Sequence, residues 1–228
     1  MRLDKYLCNA TELTRSLAKK MLHRGEVTCD GEVVKDSGFK VKPEHTICIN
    51  GEPTEVRGQR YLMLHKPVDT VCSSVDDGYA SVLTLLDLPK REQLKIVGRL
   101  DADTTGLLLL TSDGQWSHRI TSPNARCGKR YRVILEAAIS DEALTQLGDG
   151  VLLHGEDSPV RGQVERIDER QIWLTIEEGK YHQVKRMCAA VGNKVVGLHR
   201  QQIGALELDA GLAPGQWRPL TEEEIALF

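Results

Sequence analysis

The chain has 228 residues, which is enough for one or two domains with a buried core. Its apolar fraction of 40% and charged fraction of 28% are typical of globular proteins, and a net charge of −3 does not by itself indicate a nucleic-acid partner. No apolar run is long enough to span a bilayer, and the charged first residues lack the core of a signal peptide. We therefore expect a cytoplasmic protein without a membrane partner.

Six cysteines are scattered along the chain, and none of them forms a Cys-x-x-Cys pair. This spacing argues against both a zinc site and a disulfide framework, and it fits a reducing compartment.

Residues 1–50 are predicted to form a small α/β unit. Apolar residues recur at helical spacing over 3–10, and a second helix is expected over 15–24. Thr14 is a suitable N-cap for the second helix, and Gly25 follows its last turn. An Asp-Gly turn between two short β-branched runs then predicts a hairpin.

The second helix carries a row of cations, which we call the basic stripe: Arg15, Lys19, Lys20, His23 and Arg24. Its apolar face is expected to contain Leu17, Ala18, Met21 and Leu22. Because the stripe has no acidic partner at a four-residue spacing, it favours contacts with phosphates. A merely solvated helix face is the alternative.

Residues 51–60 are polar and contain Gly and Pro, so we expect a linker there and a second domain over 61–228. The second domain opens with a strand over 61–64. The further elements are predicted as a buried strand over 107–111, a helix over 113–120, a strand over 129–135, a helix over 141–147, a strand over 172–176, a helix ending at Gly192, strands over 195–198 and 203–208, and a capped helix after Thr221. Few helices separate the strands, which favours an α+β fold with a mixed, largely antiparallel sheet.

The stretch over 97–111 is the best candidate for a catalytic position. Four leucines predict a strand buried on both faces, and Asp101 lies just before it, where a rigid element would hold a carboxylate in place. Arg99 flanks this aspartate on one side, and Thr104 and Thr105 flank it on the other. The alternative is that Asp101 and Asp103 merely begin a turn.

Two other clusters supply an aromatic ring and further cations. Tyr131 stands beside Lys129 and Arg130, and residues 182–186 combine a histidine with two cations at a helix start. A cation near Asp101 would keep this carboxylate ionised and nucleophilic, and a tyrosine offers a face on which a base can stack. An aspartic-protease motif is disfavoured because no second copy completes a carboxylate pair, and a metal-dependent transferase is disfavoured because no phosphate-binding glycine loop is present.

Three motifs together resemble the pseudouridine synthases that modify ribosomal RNA, most closely the branch that acts on the small subunit. They are Gly98-Arg99-Leu100-Asp101-x-Asp103-Thr104-x-Gly106-Leu107, Lys129-x-Tyr131, and Glu178-Gly179-x-x-His182-Gln183-Val184-Lys185-Arg186-Met187. The N-terminal residues, with Arg2-Leu3-Asp4-Lys5 and Thr14-Arg15-Ser16, resemble the RNA-binding domain named for ribosomal protein S4. Departures from the usual pattern occur at His65, Gly128 and Lys180.

The resemblance implies an isomerase that converts one uridine of 16S rRNA to pseudouridine after flipping the base. It implies Asp101 as the nucleophile, Tyr131 as the residue that contacts the uracil, and Lys185 as the partner of the aspartate, with Arg186 as the alternative. Supporting roles are expected for Arg99, Thr105, His182, Gln183 and Arg186. RNA contacts are expected at Arg2, Arg15, Lys19, Lys20, His23, Arg24, Lys129 and Arg130.

The resemblance further implies no metal and no organic cofactor, and a monomer that acts on 16S rRNA or the assembling small subunit. Two alternatives stay open. One is the same chemistry on a large-subunit uridine, and the other is a ribosome-binding factor that has lost catalysis.

Overall fold

The computed structural model describes residues 1–11, 13–54, 58–73 and 78–228, and these form two compact units, Met1–Gln59 and Arg60–Phe228. Within those ranges, none of the helices combines the length and the apolar character that crossing a bilayer demands. Part of the predicted linker, residues 55–57, lies outside the described residues.

The N-terminal unit consists of two helices and a small sheet. The elements are α1 (Leu3–Ala10), α2 (Arg15–Arg24), β1 (Val27–Cys29), β2 (Glu32–Val33), β3 (Ile47–Ile49) and β4 (Glu52–Thr54). The strands lie in the order β2-β1-β3-β4, and their pairs are antiparallel.

Local chemistry sets both ends of α2. The Thr14 side chain accepts a hydrogen bond from the backbone N–H of Leu17, and Gly25 ends the helix in the left-handed region at φ 76°. Ala18 and Leu22 are fully buried in the core of this unit. The sequence predicts Leu17 on the apolar face, but this residue is 46% exposed, because it lies to one side of the buried pair and faces solvent.

The sequence predicts a linker over 51–60, whereas the structure places its first part in the N-terminal sheet. Glu52–Thr54 pairs with β3, and the Tyr6 hydroxyl donates to the Thr54 carbonyl over 2.6 Å. The glycine that suggested a linker, Gly51, instead makes the tight turn between β3 and β4 at φ 86°.

The C-terminal unit contains the remaining elements: β5 (Tyr61–Lys66), β6 (Thr70–Val71), β7 (Ala80–Ser81), β8 (Lys95–Val97), β9 (Thr105–Thr111), α3 (Gly114–Thr121), β10 (Lys129–Leu135), α4 (Asp141–Asp149), β11 (Gln163–Arg166), β12 (Gln171–Ile176), α5 (Gln183–Ala190), β13 (Val195–Ile203), β14 (Leu206–Glu207), β15 (Trp217–Pro219) and α6 (Glu222–Ile225). Short 3₁₀ turns cover Val82–Leu85, Arg91–Gln93 and Pro123–Ala125.

Its main sheet has the order β11-β12-β10-β13-β9-β5-β15, with β14 paired to β13 and β8 paired to β9. Within the described part of the chain, β9 and β13 form the one parallel pair of this sheet. The predicted α+β fold with a mixed, largely antiparallel sheet is therefore confirmed. The two sets of antiparallel strands meet at that parallel contact.

Strand β9 is buried on both faces, as the leucine run predicts. Leu108 and Leu110 pack into one core and Leu107 and Leu109 into a second core, because side chains alternate between the faces of a strand. Gly106 has φ 112°, and a Cβ atom there would lie 2.3 Å from the Arg200 carbonyl oxygen. A glycine is therefore required where β9 and β13 approach each other.

The two strands predicted over 195–198 and 203–208 are wrong in their bounds. The structure has one long strand, β13, and a short return strand, β14. The polar run over 199–202 breaks the apolar pattern, but β13 lies inside the sheet with neighbours on both edges, and these pairings decide its length.

Candidate active site

A cavity of about 740 Å³ opens on the C-terminal unit beside the start of β9. Its wall is built from the loop before β9, the first residues of β10, the end of β12 and the segment leading into α5. The lining includes Arg99, Asp101, Thr104, Lys129, Tyr131, Glu177, Lys180, Tyr181, His182, Gln183, Lys185 and Arg200. The cavity therefore brings together all three sequence clusters that could carry chemistry.

Asp101 is paired with Lys185 across this cavity. The Lys185 ammonium donates to Asp101 Oδ2 over 2.9 Å and to the two carboxylate oxygens of Asp103 over 2.7 and 3.0 Å. Burial alone would raise the pKa of Asp103, but the hydrogen bond and charge of Lys185 outweigh it and hold this pKa below its ordinary value. For Lys185, burial acts to lower the pKa, and the two carboxylates overcome it and raise the pKa.

His182 lies on the other side of the same carboxylate. Its Nε2 is 3.4 Å from Asp101 Oδ1, and its ring is stacked on the Tyr181 ring with centroids 3.8 Å apart. His182 has φ 49°, a left-handed conformation that a residue with a Cβ adopts at a cost.

Lys66 holds the loop that carries Asp101. The sequence did not predict this role. This lysine is fully buried, and its ammonium donates to the carbonyls of Pro67, Ala102 and Thr104 over 2.9, 3.3 and 2.8 Å. Burial lowers the pKa of Lys66. Its place at the end of a buried apolar run, directly before a proline, was the available signal.

Arg200 is the second buried cation that was missed. It is 2% exposed, and its guanidinium donates to the carbonyls of Leu107 and Gly98 over 2.8 and 3.0 Å. It therefore joins both ends of the segment between β8 and β9 to strand β13. Because it lies in the polar run that resembles a break between strands, no pattern in the sequence pointed to it.

Two residues of β10 that were both expected to bind RNA face opposite ways. Lys129 and Tyr131 line the cavity, and burial lowers the pKa of Lys129. Arg130 points to the other face of the sheet, where its guanidinium lies 4.7 Å from the centre of the Trp173 ring and 2.9 Å from Glu165. The alternation of side chains along a strand accounts for this separation.

Arg186 does not contact Asp101 in the structure, so the choice between the two adjacent cations falls geometrically on Lys185. The Arg186 guanidinium donates to the carbonyls of Tyr181 and His154 and lies 3.6 Å from Glu156. Gln183 is 3% exposed, and its Oε1 accepts the Lys180 backbone N–H over 3.0 Å. Both residues hold the turn before α5.

The two other supporting candidates differ in position. Arg99 is exposed and lines the cavity. The Thr105 hydroxyl is 2.8 Å from His199 Nδ1. Of these two neighbouring threonines, Thr104 is the one that lines the cavity, and it is 1% exposed.

In the N-terminal unit, every member of the basic stripe is exposed, and the ion pair that it makes with another described residue is a long one, 3.6 Å between Arg24 and Glu26. Arg2, in contrast, donates twice to the buried Asp4, each time over 3.1 Å. Arg2 therefore has an acidic partner within the protein, although its side chain is 52% exposed.

The chemistry available in the cavity is that of an anchored carboxylate beside an aromatic ring. One carboxylate oxygen of Asp101 contacts the Lys185 ammonium, and the other lies beside the His182 imidazole. These contacts orient the carboxylate for nucleophilic attack or proton transfer. Tyr131 offers a ring on the same wall, and Arg99 and Lys129 supply positive charge near it. Such an arrangement suits a planar base attached to an anionic backbone.

Comparison with known proteins gives two family matches. Residues 60–190 match the RNA pseudouridylate synthase family, and residues 1–47 match the S4 domain. The chain is 51% identical over 228 residues to "Ribosomal small subunit pseudouridine synthase A" of Escherichia coli (strain K12), with 99% of each chain covered. It is likewise 50% identical to the protein of that name from Salmonella typhimurium, with 99% of each covered, and 51% identical to that from Vibrio cholerae, with 99% and 98% covered. A solved structure described as a crystal structure of pseudouridylate synthase is similar over 100% of both chains, at 45% identity and a TM-score of 0.72.

Proposed function

The chain belongs to the RNA pseudouridylate synthase family, and from this we propose that it converts a uridine of small-subunit, 16S ribosomal RNA to pseudouridine. The observation that carries the proposal is the anchored Asp101 carboxylate in a cavity that also presents Tyr131. The identity of about half of all positions to synthases named for the small ribosomal subunit supports this substrate over a large-subunit uridine.

We assign Asp101 as the nucleophile. The reaction breaks the bond between N1 of uracil and C1′ of the ribose, turns the base, and joins C5 to C1′. C5 loses its proton and N1 gains one, so the product is an isomer of the substrate. Since the carboxylate contacts Lys185 and His182 through different oxygens, it is held in one orientation before substrate arrives. The target base must leave its stack to reach the cavity.

Tyr131 is proposed to contact the flipped uracil, and Lys185 to orient the nucleophile through its 2.9 Å hydrogen bond. Arg99 and Lys129 are proposed to neutralise backbone phosphates near the cavity. Arg186 and Gln183 act indirectly, because their contacts hold the turn that carries His182.

The N-terminal unit is proposed to bind ribosomal RNA through the basic stripe and through Arg2, which also pairs with Asp4 at the start of α1. The match to the S4 domain and the exposure of the stripe support this division of labour. We further infer that the protein acts as a monomer, and that it acts in the cytoplasm because its substrate is ribosomal RNA.

The test is to incubate the purified protein with transcripts of 16S and 23S rRNA and to map pseudouridine by chemical derivatisation. We expect product at one position of the 16S transcript. Asp101→Asn should lower the rate by about 10⁴-fold, because the amide has nearly the same size but is not a nucleophile. Asp87→Asn, at an exposed aspartate outside the cavity, is the matched control and should keep the wild-type rate.

Product on the 23S transcript alone would refute the assignment to the small subunit. Turnover by Asp101→Asn at a tenth of the wild-type rate would refute the role of Asp101.

A further inference from the structure

Tyr181 is the most exposed of the large apolar side chains in the described part of the chain, at 76%. It stands at the rim of the active-site cavity, directly before His182. A flat, apolar ligand can cover an aromatic side chain that is exposed at such a position without a cost in free energy.

The Tyr181 ring is already oriented. One face is stacked on the His182 ring, with centroids 3.8 Å apart and planes inclined by 19°. His182 Nε2 in turn lies 3.4 Å from Asp101 Oδ1. Since His182 covers one face of the Tyr181 ring and the side chain is still 76% exposed, the opposite face is open to solvent.

The backbone around this ring is held by a set of polar contacts. The Tyr181 carbonyl accepts from Arg186, the Lys180 N–H donates to Gln183 over 3.0 Å, and the Lys180 ammonium is bonded to Glu156. These contacts keep His182 in its left-handed conformation, which costs energy and would be lost in an ordinary turn. The strained turn therefore serves to present the two stacked rings.

We propose that the open face of Tyr181 is a binding site for an unpaired nucleobase adjacent to the target uridine. This deepens the proposed function and rests on it. The neighbouring base would extend the Tyr181–His182 stack by one layer, and this would fix the RNA strand relative to Asp101 while the target uracil enters the cavity.

The charges nearby favour RNA as the occupant. Arg99 is exposed on the same cavity and makes neither a hydrogen bond nor an ion pair with the described residues, so it is available to a phosphate. Lys129 lines the cavity as well. A stacking surface beside cations that face the same opening is the combination used to hold single-stranded nucleic acid.

The first experiment compares Tyr181→Ala and Tyr181→Phe in single-turnover assays on a short 16S fragment. We expect Tyr181→Ala to raise the RNA concentration for half-maximal rate by about tenfold, which is the order expected for one base–aromatic stack. The rate at saturating RNA should change less than threefold, and Tyr181→Phe should match wild type because the ring is kept. Tyr79→Ala, which removes another exposed tyrosine of the same unit outside the cavity lining, is the matched control.

The second experiment removes the partner base. Abasic substitution on one side of the target uridine, tested separately on the 5′ and 3′ sides, should weaken binding to wild type about as much as Tyr181→Ala does, and should add little in that variant. A 2-aminopurine at the same position should be quenched by wild type and by Tyr181→Phe but not by Tyr181→Ala.

Equal RNA requirements for wild type and Tyr181→Ala would overturn the proposal. So would a loss confined to the saturated rate, or additive effects of the alanine and abasic changes on both sides. If wild type forms no pseudouridine but quenches 2-aminopurine through Tyr181, the proposed reaction fails while the binding site stands.

Discussion

The basic stripe and the cations around the cavity are built from the same residue types in opposite environments. Arg15, Lys19 and Lys20 extend into solvent on α2, whereas Lys66 and Arg200 are almost wholly buried and donate to backbone carbonyls. Exposed cations cost little to place and remain available to a mobile anion. Buried cations are costly unless every donor is used, and once placed they fix the chain around them.

Positive charge therefore has two separate uses in this protein. On α2 it is a surface property, which counterions screen and which a polyanion can exploit. Beneath Asp101 it is part of the architecture, since Lys66 and Arg200 determine where the loop before β9 runs. Lys185 lies between the two cases, as a partly exposed cation that is committed to carboxylates.

The largest effect on stability is expected from Lys66→Met, which removes one of the two buried cations. Three carbonyls lose a charged donor, so the free energy of unfolding should fall by about 3 kcal/mol or more. Urea unfolding followed by tryptophan fluorescence measures it. Lys194→Met removes a cation that is 71% exposed and paired with Glu136, and it should cost less than about 1 kcal/mol. Equal costs for the two variants would contradict the distinction.

A smaller effect is expected from Lys185→Met, which removes the cation that orients Asp101. The rate at saturating RNA should fall by about 10²-fold, the usual consequence of a misplaced reacting group. A saturated rate near that of wild type, together with weaker RNA binding, would make Lys185 a phosphate contact instead.

The stability of wild type relative to Lys185→Met should also depend on pH. The pKa of Asp103 is lowered in the folded protein, so this carboxylate stabilises the fold above its ordinary pKa of 3.8, and the stabilisation is lost as the pH falls through the lower folded pKa. The pKa of Lys185 is raised, so this ammonium stabilises the fold below its ordinary pKa of 10.5, and the stabilisation is lost as the pH rises through the higher folded pKa. The difference in unfolding free energy between wild type and Lys185→Met should therefore be flat at neutral pH and shrink at both extremes. Urea titrations across the pH range test this.

Removing exposed cations of the basic stripe should have the smallest effect on the protein. It should leave the chemical step unchanged. Lys19→Ala, Lys20→Ala and Arg24→Ala combined should weaken binding to long 16S fragments and lower the salt slope by about 0.7 to 0.9 for each phosphate that the variant no longer neutralises. Stability and the saturated single-turnover rate should stay at wild-type values. An unchanged salt slope would mean that the stripe is a solvated helix face.

Much of the fold could be predicted because local signals agreed with the final packing. Thr14 and Gly25 mark the ends of α2, and the leucine run predicts that β9 is buried on both faces. The capping box at the last helix is present, with Thr221 and Glu224 bonded to each other's backbone N–H groups. Each of these features is decided within a few residues of sequence.

The failures occur where distant contacts outweigh the local pattern. The polar run in β13 resembles a break but is held as a strand by neighbours on both sides. Lys66 and Arg200 resemble surface residues, because nothing in the sequence shows the carbonyls that receive them. The partner of Asp101 could not be chosen between Lys185 and Arg186, since the start of α5 decides which of the two adjacent side chains faces the cavity.

The parallel contact between β9 and β13 has a consequence for how the protein folds. Asp101, in the loop between β8 and β9, and Lys185, on α5 between β12 and β13, are 84 residues apart in sequence. The strands that flank them belong to the two sets that this contact joins. Neighbouring hairpins such as β8–β9 form from nearby segments, but closing so long an intervening chain carries a larger entropic penalty and slows assembly. An intermediate that has formed only such hairpins has secondary structure without a nucleophile in place. During refolding, the return of turnover thus reports the joining of the two halves of the sheet, not the collapse that precedes it.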